Sequence, residues 1–178
     1  GTKLLGAVAP EHQAELPRDY NFDAHVFHSQ FASTHYGIMI PDLPEPYRYL
    51  SYASVIGDVG AKITKVSPKL TDLAPENTAT LVHGTALSET KDADKIYDIQ
   101  HQLKFQQSPF RIDFAEDSSL YEEDGNYHLV SNMADLKVDL TLTPTDALTW
   151  FAHSSLYQHF SILMKYSGTL TQQGKTIE

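Results

Sequence analysis

Leu136-Lys137-Val138-Asp139-Leu140-Thr141-Leu142-Thr143 alternates apolar and polar residues without a break. Successive side chains of a strand point to opposite faces, so this order makes one dry face and one wet face. A helix would gather Lys137, Leu140 and Thr141 on one side and bury neither set cleanly. The octet therefore commits its part of the chain to a sheet packed on one face, the usual condition of antiparallel strands.

The chain on either side supplies more of the same. Ala24–Phe31, His35–Ile40 and Tyr47–Ile56 are rich in aromatic and β-branched residues and read as strands. Between the last two, Pro41, Pro44 and Pro46 enforce an extended loop, because proline offers no ladder donor. Residues 57–78 hold Gly, Pro, Asp, Asn and Thr in quantity and read as a long loop. Further strands are expected over 78–87, 95–105 and 110–114. A hairpin is expected around Asp124-Gly125, and the octet should end at Pro144 and return over 147–152 after a turn at Thr145-Asp146. A last pair, 160–171 and 175–178, flanks Gln172-Gln173-Gly174. Many short strands with turn signals between them predict an all-β antiparallel sandwich or barrel. Residues 1–21, with Pro10 opening a possible helical turn, read as an N-terminal arm, and 22–178 as a single β lobe.

Composition removes several classes of function. The 178 residues carry 13 Lys and Arg against 23 Asp and Glu, a net charge of −10, with no basic run. Nucleic-acid binding normally needs a basic patch and is not expected. No apolar stretch approaches the ~20 residues of a membrane-spanning helix. The absence of cysteine excludes disulfides, thiol nucleophiles and cysteine-based zinc sites.

Nine histidines stand out. His25, His28 and His35 fall close together, but strand geometry turns 25 and 28 to opposite faces, and the helical zinc signatures are absent. No metal or cofactor is expected. Gly-x-Ser-x-Gly is missing, and Gly57-Asp58-Val59-Gly60 lacks the further glycines of a phosphate loop. The tyrosines are more suggestive. Tyr36, Tyr47, Tyr49 and Tyr52 crowd the proline loop, with Tyr47 and Tyr49 on one face of a regular strand and Tyr52 on the other. A large apolar body with a polar tip suits both a core and a ligand cavity.

His35–Pro46, Leu142-Thr143-Pro144-Thr145, Tyr157–Phe160 and Tyr166–Leu170 together resemble the first half of a bacterial family of uncharacterised members. That family is similar to the two-lobed lipocalin-like proteins, among them carotenoid hydratases and tocopherol-cyclase relatives. The resemblance covers about residues 22–178 and rests on structural motifs. It implies a lipocalin-like barrel or strongly bent β-sandwich, an apolar lipid- or isoprenoid-like ligand, and a second lobe continuing beyond residue 178. The chain lacks the Asp-His dipeptide of some enzymatic members. The resulting expectation is a binding lobe for a hydrophobic small molecule, with Tyr36, Tyr49, Tyr52, Trp150, His28 and His35 as ligand-binding candidates. Two alternatives stand beside it: a fragment of a hydratase, cyclase or isomerase, and a structural or carbohydrate-binding sandwich. Alkene protonation needs a buried neutral acid, whereas alternation puts Asp113 and Asp139 on wet faces.

Overall fold

The chain folds as two antiparallel meanders laid face to face. The computed structural model describes residues 34–57, 77–89, 94–153 and 158–178, without side chains for 148–160. The first sheet holds β1 (Thr34–Ile40), β2 (Leu50–Ile56), β3 (Thr78–Gly84) and β4 (Asp94–Asp98), in that order. The second holds β5 (Leu103–Gln106), β6 (Arg111–Phe114), β7 (Ser118–Glu123), β8 (Asn126–Met133), β9 (Leu136–His153), β10 (Gln158–Gln172) and β11 (Lys175–Ile177), each paired with its neighbour in sequence. The two sheets do not close into a barrel; the architecture is the bent sandwich arm of the expectation.

The octet behaves as its alternation requires. Leu136, Val138, Leu140 and Leu142 are buried, while Lys137, Asp139 and Thr143 face solvent. The same rule runs along β2, where Leu50, Tyr52, Ser54 and Ile56 are buried. Facing them across the core are Ile112, Phe114, Leu120, Leu129 and Leu170 of the second sheet. Side chains thus fill the space between the sheets.

Three sequence expectations change. Residues 95–105 are not one strand: β4 ends at Asp98, a single helical turn follows at Ile99–Gln102, and β5 begins in the other sheet. Asp98 caps that turn by accepting from the Gln100 amide at 2.9 Å, and Ile99 anchors it in the core. Here the chain changes sheets.

Tyr47 and Tyr49 do not share a strand face. The Tyr47 amide bonds the Pro44 carbonyl in a turn, Arg48 takes a left-handed φ of 61°, and β2 starts only at Leu50. Tyr47 is consequently buried and Tyr49 is 40% exposed.

Pro144 does not end the octet's strand, and Thr145-Asp146 is no turn; β9 runs through to His153. β8 pairs with β9 only as far as Leu142. Pro144 therefore lies where one side of β9 has no strand neighbour among the described residues, opposite Met164 at a register shift. An edge or a bulge is where a strand tolerates proline.

Candidate ligand-binding cleft

A cleft of about 360 Å³ opens at one corner of the second sheet, lined by Gln106, Pro109, Phe110, Arg111, Tyr121, Glu122, Glu123 and Asp124. Two hairpin ends build it. Gln106 closes β5, and its amide donates to the Pro109 carbonyl at 2.9 Å, fixing the turn into β6. The Glu122 amide bonds the Phe110 carbonyl at 2.9 Å, tying that turn to the end of β7. Phe110 is the floor. It is 2% exposed and packs on Tyr36, Phe105 and Tyr127 at centroid distances of 5.3, 6.1 and 6.4 Å.

One wall is a cross-strand ladder on the solvent face. The Arg111 guanidinium carbon lies 4.7 Å from the Tyr121 ring centroid, and Tyr121 stacks on His128 at 5.1 Å. Asp113 fixes the arginine, accepting from its Nε at 3.1 and 3.0 Å on the two carboxylate oxygens while Ser119 donates to one of them at 2.6 Å. That hydrogen bond holds the guanidinium pKa above its ordinary value. Charge at the mouth is therefore mostly acidic: Arg111 is matched by Asp113, and Glu122, Glu123 and Asp124 complete the rim.

The sequence candidates scatter around this site. Tyr36 backs its floor. Tyr52 is 1% exposed in the core, its hydroxyl 2.9 Å from Ser118 Oγ, and burial pushes its pKa up against the lowering pull of that bond. Tyr49 and His35 are exposed away from the cleft lining. Trp150 is placed by backbone register opposite Phe160, and its side chain lies outside the described residues, as does all of His28. Phe110, Arg111 and Tyr121 line the cleft and are not among the sequence candidates. The available signal was the perfect alternation of Phe110–Phe114 just after Pro109, which fixes a floor residue and a wall residue side by side.

The core carries a polar seam of its own. Tyr52 and His83 are cross-strand partners in the first sheet, and Ser118 and Ser131 are partners in the second. His83 is 3% exposed, its Nδ1 is 3.5 Å from Ser131 Oγ, and burial lowers its pKa to about 4. Its Nε2 is buried with no hydrogen-bond partner among the described residues. At the seam's end, Tyr97 donates to Asp117 at 2.7 Å and Lys95 bonds the same carboxylate oxygen at 2.6 Å. Burial opposes ionisation of Asp117, but these two bonds and the lysine charge outweigh it and hold the carboxyl below its usual range. It is thus a carboxylate, not the neutral acid that alkene protonation needs. Among the described residues no three metal-ligating side chains converge, and no helix is long and apolar enough to cross a membrane.

Residues 53–178, from within β2 to the end of the second sheet, match the model of a family of unknown function, DUF6670. The chain belongs to that family. No curated protein and no solved structure matches it.

Proposed function

We propose that this domain binds a largely apolar small molecule, of lipid- or isoprenoid-like character, in the corner cleft and not in the interior of the sandwich. The observation that carries this reading is a preformed cleft with a buried aromatic floor, Phe110, beside Pro109 and Tyr121. Its volume falls in the roughly 300–1,000 Å³ range of small-molecule sites, and Pro109, Phe110 and Tyr121 supply the apolar part of its lining. The polar rim of Gln106, Glu122 and Glu123 suits a ligand with one polar end left toward water.

The test is calorimetric titration with farnesol and with a long-chain fatty alcohol. Saturable binding by the natural chain is expected. Gln106→Trp should abolish it by filling the cleft, with an unchanged melting point and circular dichroism spectrum certifying the fold, since the Gln106 amide also bonds the Pro109 carbonyl. Met39→Ala, on an exposed side chain outside the lining, should leave it unchanged. Failure of the natural chain to bind either compound, or equal binding by Gln106→Trp, removes the proposal.

A further inference from the structure

We infer that the corner cleft selects a cation: the polar end of its ligand is an alkyl- or isoprenylammonium group, not an alcohol or a carboxylate. The inference rests on the cleft being the binding site and adds the charge of what enters it.

Glu122 carries the argument. It follows Ser118 and Leu120 at every second position of β7, and both of those are buried, so it sits on the strand face that packs on the core. Its ladder partner on β8 is Tyr127, which is buried and packs on the floor residue Phe110. The strand thus turns a half-buried carboxylate onto an apolar face beside the aromatic floor. A carboxylate in such surroundings is destabilised until a cation or a set of donors meets it. Among the described residues no cation forms an ion pair with Glu122, nor with Glu123 or Asp124 beside it.

Arg111 is the one cation in the lining, and its charge is committed. Asp113 accepts from its Nε on both carboxylate oxygens, and the guanidinium lies over the Tyr121 ring. It can meet an acidic ligand only by giving up Asp113. The lining therefore sets three carboxylates against one matched cation. An ammonium head at the mouth meets complementary charge while its chain covers Pro109 and Phe110, whereas a carboxylate head meets like charge.

Calorimetric titration with decylamine, decanol and decanoate, which share a chain and differ in head group, tests this at neutral pH and low salt. Decylamine is expected to bind saturably and about tenfold more tightly than decanol, with decanoate weakest, and the gap should narrow in concentrated salt. Glu122→Gln with Glu123→Gln should erase the preference for the amine. Asp135→Asn with Asp139→Asn removes the same charge from exposed positions outside the lining and should preserve it. Equal binding of decylamine and decanol, a preference that survives loss of Glu122 and Glu123, or one lost equally in both double variants overturns the inference and leaves the cleft standing as a site. If none of the three compounds binds, the cleft falls with it.

Discussion

The lower and upper halves of the β9–β10 hairpin are made of the same kind of strand and live in different surroundings. Up to Leu142, β9 lies between β8 and β10 with the first sheet beneath it. Beyond Leu142 it has β10 alone for a described neighbour. Leu170 and Tyr166 occupy one face of β10, opposite Val138 and Leu142, yet the first is 4% exposed and the second 48%. Alternation decides which way a side chain points; what lies across from it decides whether pointing that way stabilises anything.

The sharpest way to break the contrast is at its junction. Gly168 has a φ of 138°, and a Cβ built there would collide with the Asp139 carbonyl oxygen. Gly168→Ala must displace a paired backbone and is expected to cost about 4 kcal/mol in urea denaturation. A direct comparison of the halves comes next. Leu129→Ala, at a site with no exposure, should cost about 3 kcal/mol, and Leu163→Ala less than about 0.5 kcal/mol. Equal costs would mean that the outer half is as well covered as the inner.

Acid should act on the body through His83. Its folded pKa of about 4 lies below the ordinary 6.5, so the unfolded chain takes the proton first. The contribution is complete above pH 6.5, declines as pH falls toward 4, and totals about 3 kcal/mol. His83→Leu should flatten that part of the stability profile measured by denaturant titration at successive pH values. A smaller effect than that of His83 is expected from Tyr52→Phe, which deletes the bond to Ser118 and should cost about 1 kcal/mol.

How far the chain could be read before its coordinates depended on the range of the forces involved. The octet, β6 and the Asp124-Gly125 hairpin were legible because alternation and turn chemistry are local. Pro144 misled because its tolerance depends on where β8 stops, a matter of partner length that its own neighbourhood does not record. Tyr47 misled because one left-handed residue, Arg48, resets the face count. At the cleft, Tyr36 is an aromatic the sequence singles out and it packs behind the floor, while the floor residue Phe110 is not singled out. Its partner Tyr36 comes from β1 in the other sheet, so the two meet only when the sheets stack.

The helical turn at Ile99–Gln102 divides more than two sheets. Among the described residues, every ladder before it joins residues before it, and every ladder after it joins residues after it. A nick in that turn would sever no strand pairing. Two separately made pieces would each keep their described strand ladders, with the apolar faces and the cross-sheet bonds Tyr52–Ser118 and Tyr97–Asp117 left to rejoin them, so the molecule is suited to reconstitution from halves.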